Sequence, residues 1–122
     1  MSMKQWVMSA ASATLGAVVV LGAQQASATR RIPQFENENV HVWKSIILPH
    51  QPLSLHRHER GRVIVALAGG TLQIVQESGD KRAVQWETGK AYWLAADPPG
   101  ARHADLNETN TPIEVMVVEL AR

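Results

Sequence analysis

Residues 56–58 read His-Arg-His, and residues 98–107 read Pro-Pro-Gly-Ala-Arg-His-Ala-Asp-Leu-Asn. Each stretch follows a run of alternating apolar residues, which is the pattern of β-strands. Because successive side chains of a strand point to opposite faces, His56 and His58 are predicted to project from the same face. A third imidazole, His103, comes from a distant strand, and three converging imidazoles would suit a transition metal or a polar pocket.

The two stretches together resemble the sequence motifs of the cupin family. The first motif of that family reads Gly-x5-His-x-His-x3-4-Glu-x6-Gly, and the second reads Gly-x5-Pro-x-Gly-x2-His-x3-Asn. The matched positions, which keep the family's order within a region from Val40 to Leu120, are His56, His58, Gly69, Pro98, Gly100, His103 and Asn107. The resemblance implies an all-β fold, a small cupin or jelly-roll β-barrel.

The sequence departs from these motifs at several positions. His50 stands where the first motif opens with glycine, and Tyr92 stands where the second does; Gly89 is predicted to make that second turn. The metal-binding glutamate of the family would fall at position 62 or 63, which hold Arg62 and Val63. The resemblance therefore implies a metal site that lacks its usual carboxylate.

Asp105 offers a replacement carboxylate, because it lies two residues after His103 and should share its face of a continuous strand. In one arrangement Asp105 joins the histidines as a metal ligand and Arg62 turns toward substrate or solvent. In the other, Arg62 and Asp105 form a bidentate ion pair inside the barrel, and the metal keeps open positions beside three histidines. The second avoids an unpaired buried charge and is favoured on that ground.

The predicted metal ligands are therefore His56, His58, His103 and Asp105, and the metal is a divalent transition ion (Zn, Fe, Mn, Ni or Cu). Three further residues are predicted to bind substrate or support the ligands, and they are Arg62, Asn107 and Tyr92. A metal-free polar pocket is the alternative. Arg62 would then bind an anionic group of a small molecule. His41, His50 and Glu59 are interpreted as surface residues, with Glu59 pairing with Arg57.

The N-terminus reads as a secretory signal peptide over residues 1–28. Lys4 provides a positive charge, Ala10 to Leu21 an apolar stretch, and Ala26-Ser27-Ala28 a small-residue cleavage site. The alternative is an uncleaved membrane anchor, since Trp6 to Ala28 carries no charge. Cleavage predicts a bacterial periplasmic or secreted protein with no stable membrane anchor. Residues 29–39 are interpreted as an N-terminal arm or linker, and residues 40–122 as the barrel domain.

Composition narrows the possible partners. The chain has no cysteine, so disulfides cannot stabilise the exported domain. Lys4 is the only basic residue before position 29, and all eleven acidic residues follow that position. The mature charge is therefore zero with neutral histidines, which argues against general nucleic-acid binding. A partner subunit could add stability, and a homodimer with a small-molecule ligand is expected.

Short apolar runs separated by turn residues predict eight strands in one domain. Gly69-Gly70 is predicted to form a tight hairpin, and Ser78-Gly79-Asp80 the next reversal. The predicted strands are Val40 to Leu48, Leu53 to His58, Arg62 to Ala68, Thr71 to Gln76, Arg82 to Trp86, Ala91 to Leu94, His103 to Asn107 and Ile113 to Leu120.

The leading functional hypothesis is an exported cupin that holds a divalent transition metal. If the protein is an enzyme, the resemblance favours oxygen-dependent oxidation or isomerisation of a small polar molecule. The alternatives are a metal-free anion-binding or sensing module that uses Arg62 and Asp105, and a structural barrel that oligomerises. A cupin scaffold hosts many unrelated functions, so the fold alone does not choose among them.

Overall fold

The computed structural model describes residues 28–122, which contain nine β-strands. The predicted all-β fold is confirmed, whereas the predicted signal peptide lies outside the described residues except for Ala28. The strands are β1 (Arg30–Glu36), β2 (Val40–Ile47), β3 (Leu53–His56), β4 (Arg62–Ala68), β5 (Gly70–Gln76), β6 (Lys81–Trp86), β7 (Ala91–Leu94), β8 (His103–Leu106) and β9 (Ile113–Leu120).

The strands form two antiparallel sheets that face each other. One has the order β1-β2-β9-β4-β7, and the other has the order β3-β8-β5-β6. Chain neighbours such as β4 and β5 lie in different sheets, so the chain repeatedly crosses between layers, as in a jelly roll. Within residues 28–122, no helix has the length and hydrophobicity that a membrane crossing requires.

The core lies between the sheets and follows from the period-2 pattern of the strands. On β9, Ile113, Val115 and Val117 are buried at alternate positions, and Trp43 and Ile47 contribute from β2. Burial of each large apolar side chain contributes about 1.5–3 kcal/mol. The buried cluster comprises Trp43, Ile47, Ile64, Ala66, Leu72, Trp86, Ile113, Val115 and Val117.

The hairpin predicted at Gly69-Gly70 is wrong. β4 pairs with β7 and β9, whereas β5 pairs with β6 and β8, so the two glycines connect different sheets. At this crossing the backbone passes close to a neighbouring strand, because a Cβ on Gly69 would lie 2.1 Å from the carbonyl oxygen of Trp86. Glycine is therefore required here by a close backbone approach rather than by a primed turn.

The reversal predicted at Ser78-Gly79-Asp80 is confirmed. β5 and β6 pair on either side of it, Gly79 has φ +100°, and the amide of Gln76 donates to the carbonyl of Asp80 at 2.8 Å. Gly89 likewise has a positive φ, in the turn that leads into β7. Both turns need a backbone conformation that glycine adopts without steric cost.

The segment interpreted as an arm or linker contains a strand. β1 pairs along β2 from Arg30↔Ile46 to Glu36↔His41, with an irregularity between Pro33 and Phe35. Pro33 lacks an amide proton and is tolerated because β1 is an edge strand. The polar composition reflects that edge position.

Candidate metal centre

Two of the three predicted histidines face each other across a strand pair. β3 and β8 are antiparallel neighbours, and His56 is in register with His103. Their ring centroids lie 4.5 Å apart. Residues 47 positions apart in sequence are thus brought together by strand pairing alone.

His58 reaches the same place by a different route from the one predicted. β3 ends at His56 rather than continuing through His58. The amide of His58 instead donates to Oδ2 of Asp97 at 2.7 Å, and the Arg57 guanidinium donates to the carbonyls of Asp97 and Pro98. The position of His58 is therefore set by contacts with the loop after β7 and not by the alternation of side chains along a strand.

The three rings converge. Each offers a nitrogen that lies within 4.8 Å of those offered by the other two, and His58 and His103 are buried. The ring centroids of His56 and His58 lie 4.9 Å apart, and those of His58 and His103 lie 5.6 Å apart. Ligand nitrogens of a tetrahedral zinc ion are about 3.4 Å apart, so small side-chain rotations would suffice to bind one.

The contacts of the Nδ1 atoms indicate which ring nitrogens are free to bind. His56 Nδ1 lies 2.6 Å from the carbonyl oxygen of Ser54, and since that oxygen can only accept, Nδ1 carries the proton. His58 Nδ1 lies 2.7 Å from Glu119 Oε2, and His103 Nδ1 lies 3.5 Å from Asp97 Oδ2. Such partners fix the ring orientation and leave Nε2 for a metal.

Nε2 of His56 is buried and has no hydrogen-bond partner among the described residues. A buried polar nitrogen without a partner costs about 1–3 kcal/mol. In the neutral tautomer with Nδ1 protonated, Nε2 carries the lone pair that a metal would use. Its neighbours and chemistry therefore fit a divalent metal ion.

Asp105 lies beside the histidines, but the predicted ion pair with Arg62 is not formed. The Asp105 oxygens lie 3.6 Å from His56 Nε2 and 3.7 Å from His103 Nε2. Arg62 instead donates from Nη1 to the carbonyl of Ala95 at 3.2 Å, and no carboxylate of residues 28–122 lies within 4.0 Å of it. The end of β7 holds the guanidinium away from Asp105.

Sequence reasoning missed Glu119, Asp97 and Arg31. Glu119 continues the inward alternation of Val115 and Val117, so the period of β9 could have revealed it. Arg31 lies on the strand that was interpreted as a linker, and its guanidinium carbon is 4.9 Å from the centre of a Trp43 ring. Asp97 follows a strand end in a loop, and no sequence signal marks its contact with His58.

Burial keeps two of the rings in the form that binds metals. Desolvation, reinforced by Arg62, lowers the pKa of His58 far below its usual range, and desolvation also lowers the pKa of His103 despite the nearby Asp105. Burial raises the pKa of Asp105 and of Glu119. Neutral imidazole is the ligand form, so these two rings are available as ligands at neutral pH.

The cavity between the sheets is small. It is lined by His58, His103, Asp105, Arg31 and Arg62 together with core side chains, and its volume is about 30 Å³. That is roughly two to three times what one water needs. The cavity can hold an ion with one or two small ligands, whereas an organic molecule would have to approach from outside it.

The structure places Asn107 and Tyr92 away from the histidine cavity. Asn107 is fully buried, and its amide donates to the carbonyls of Ile47 and Thr111, so it closes the turn before β9. The Tyr92 hydroxyl accepts from the amide of Glu87, and its ring packs on the core. Of the described residues that line the cavity, neither Asn107 nor Tyr92 is one.

The residues interpreted as surface groups lie outside the cavity. His50 is exposed in a bend with φ 60°, and His41 lies 3.9 Å from Glu36 with half of its side chain exposed. Glu59 is exposed and lies 3.3 Å from Arg57, as predicted.

Comparison with known proteins supports the fold through structure. No protein-family model and no curated protein matches the chain. A cupin domain from Bordetella pertussis Tohama I has a TM-score of 0.67 at 24% identity, with 76% of this chain and 93% of that chain covered. A Klebsiella pneumoniae protein with a double-stranded β-helix domain has a TM-score of 0.59 at 19% identity, with 78% of each chain covered.

An RmlC-like cupin protein from Desulfovibrio desulfuricans has a TM-score of 0.56 at 18% identity, with 79% of this chain and 85% of that chain covered. The order of strands, the two facing sheets and the position of the histidine group agree with the sequence resemblance. The chain therefore has the cupin fold, a double-stranded β-helix, with a group of three histidines that could bind a divalent metal.

Proposed function

We propose that this protein binds one divalent transition metal through His56, His58 and His103 and presents it to a small polar or anionic molecule. The observation that carries the proposal is the buried, unpartnered Nε2 of His56, which lies in a group of ring nitrogens within 4.8 Å of one another. A metal ion would satisfy this atom and would use the lone pairs that the Nδ1 contacts leave available.

Asp105 supports the proposal as a fourth ligand or as the acceptor for a metal-bound water. Its oxygens lie within 3.7 Å of two of the Nε2 atoms, so a small movement of the Asp105 side chain would change it from one role to the other. Imidazole with carboxylate suits several divalent ions, which leaves Zn, Fe, Mn, Ni and Cu as candidates. A metal held by three histidines keeps open positions at which it can polarise an oxygen of a bound molecule.

Elemental analysis of protein purified without a histidine tag tests the proposal. We expect one tightly held metal per chain, lost in His56→Ala and in His103→Ala. His41→Ala is the control, because His41 is half exposed and is not a member of the histidine group. Metal-free protein, or metal that survives in His56→Ala, would contradict the proposal.

The alternative function is metal-free binding of an anion. It is favoured by the two guanidinium groups that line the cavity, Arg31 and Arg62, whose pKa values are lowered by desolvation. If the purified protein holds no metal and organic anions raise its melting temperature, this alternative replaces the metal site.

We further propose that the protein is exported to the periplasm or the exterior of a bacterium. The charge, apolar stretch and small-residue end of residues 1–28 support this. Mass spectrometry of protein from the culture medium or the periplasm should detect a chain that begins at Thr29. Recovery of the uncleaved chain from membranes would favour an anchor.

A homodimer through the outer face of the five-stranded sheet is also proposed. An apolar row crosses that sheet in register and comprises Phe35, Val42, Val118, Val63 and Trp93. Its two end members are 57% and 59% exposed, and a second copy of this chain would cover them in a self-complementary contact. Sedimentation should show a dimer that dissociates in Phe35→Glu; a wild-type monomer would contradict this.

A further inference from the structure

Arg62 is a buried cation with few partners. The residue is 5% exposed, and its side chain makes one hydrogen bond, from Nη1 to the carbonyl of Ala95. A guanidinium has five donors, and no carboxylate of residues 28–122 lies within 4.0 Å of this one. Unlike Nε2 of His56, the guanidinium nitrogens without a protein partner are not fully enclosed, so these donors face space that a ligand can enter.

A pocket of about 290 Å³ adjoins this guanidinium. It opens between β6 and β7, the edge strands of the two sheets, and Arg62 and His103 also line the histidine cavity. Arg82, on β6, brings a second cation to the same space. The volume lies just below the range of about 300–1,000 Å³ that is usual for small-molecule sites.

The charges of the lining indicate a monoanion. Among the lining side chains, Arg62 and Arg82 contribute two positive charges and Asp97 contributes one negative charge, which leaves a surplus of one within the lining. Asp105 and Glu119 also attract Arg62, from outside this lining. The Asp97 carboxylate already accepts from the amide of His58, so it is fixed in place. A dianion such as phosphate would face that carboxylate at close range, whereas a single carboxylate matches the surplus and the planar geometry of guanidinium.

Beside Gln76 and His103, part of the remaining lining is apolar. Ile74, Leu94, Ala95 and Ala96 form walls. An aromatic or short aliphatic body would pack on these surfaces.

We infer that this pocket binds a small organic monocarboxylate, with the carboxylate held between Arg62 and Arg82 and the apolar body against Leu94 and Ile74. The inference rests on the proposed function, in which a small anionic molecule meets the histidine group. It adds the place where that molecule binds and its chemical class.

Calorimetric titration tests the inference with three probes on metal-loaded and on metal-stripped protein: benzoate, its neutral isostere benzamide, and inorganic phosphate. Benzoate should bind both forms of the protein. Arg82→Gln should weaken benzoate binding by about tenfold or more, because a charge-assisted contact is lost. Arg60→Gln is the control, since Arg60 is exposed and does not line the pocket. Metal content should be unchanged in both variants.

The outcomes separate this inference from the proposed metal site. Benzoate that binds only the metal-loaded form and is insensitive to Arg82→Gln would place its carboxylate on the metal and overturn the inference. So would benzamide or phosphate binding as tightly as benzoate, or no benzoate binding at all. Benzoate binding that depends on Arg82 in a protein that holds no metal would uphold the inference while the metal site fails.

Discussion

Replacing Glu119 should weaken metal binding without removing a ligand. The carboxylate of Glu119 lies 2.7 Å from Nδ1 of His58, and its side chain is 20% exposed. A neutral His58 donates to this carboxylate, which orients the ring and raises the basicity of Nε2. Glu119→Leu removes the acceptor and the charge, whereas Glu119→Gln removes the charge and keeps an acceptor oxygen.

The expected magnitude follows from this contact. A hydrogen bond to a charged group contributes about 1.5–3 kcal/mol, and loss of an outer partner of a ligating histidine typically costs about 10–100-fold in metal affinity. We expect Glu119→Leu to fall within that range and Glu119→Gln to lose about tenfold or less. His58→Ala should lose more than either, because a ligand itself disappears.

Competition with a chromophoric zinc chelator at pH 7.0 measures these affinities. Glu114→Gln is the matched control, because Glu114 lies on the same strand but pairs with Lys44 on the outer surface. The melting temperature of each metal-free variant should be recorded, so that a folding defect is distinguished from a loss of affinity. Zinc affinity of Glu119→Leu within about twofold of the wild type would refute the assigned role.

Three further outcomes are expected. Because the pKa values of His58 and His103 are lowered, protons should compete with the metal for these two rings only at lower pH. A site of three imidazoles with unshifted pKa values would lose about 600-fold in metal affinity between pH 7.0 and 5.5. A loss of that size in chelator competition would contradict the lowered pKa values. Gly69→Ala should lower the free energy of unfolding by about 1–3 kcal/mol in urea titrations, since the alanine Cβ would lie 2.1 Å from the Trp86 carbonyl oxygen. A variant as stable as the wild type would contradict that close approach. Asn107→Ala should cost about 2–4 kcal/mol in the same assay while zinc affinity is kept, and a selective loss of zinc would mean that this residue serves the site.

The strands of the barrel were largely predictable because their signal is local. The bounds of β4, β7 and β9 agree with the prediction, β2, β5, β6 and β8 differ by one residue at one end, and β3 ends two residues earlier than predicted. Alternation of apolar side chains and the turn at Gly79 depend on neighbouring residues only. β1 was not recognised, because an edge strand buries little surface and therefore needs no apolar pattern.

The sequence could not tell which strands pair. Gly69-Gly70 is equally compatible with a hairpin and with a crossing between sheets, and the contact with Trp86 that decides between them joins residues 17 positions apart. The same holds for Arg62, whose partner is the carbonyl of Ala95 rather than Asp105. Every residue has a backbone carbonyl, so no residue pattern could have indicated which carbonyl accepts from Arg62.

The amino-acid sequence by itself determined the all-β class and the three histidines, since strand periodicity and motif spacing are properties of short segments. Tertiary structure alone decided that His56 faces His103 across β3 and β8, that Asp97 holds His58 in place, and that Glu119 lies against its ring. These contacts join residues that are 39 to 61 positions apart in sequence. Such residues come into contact only when the two sheets pack on a common core.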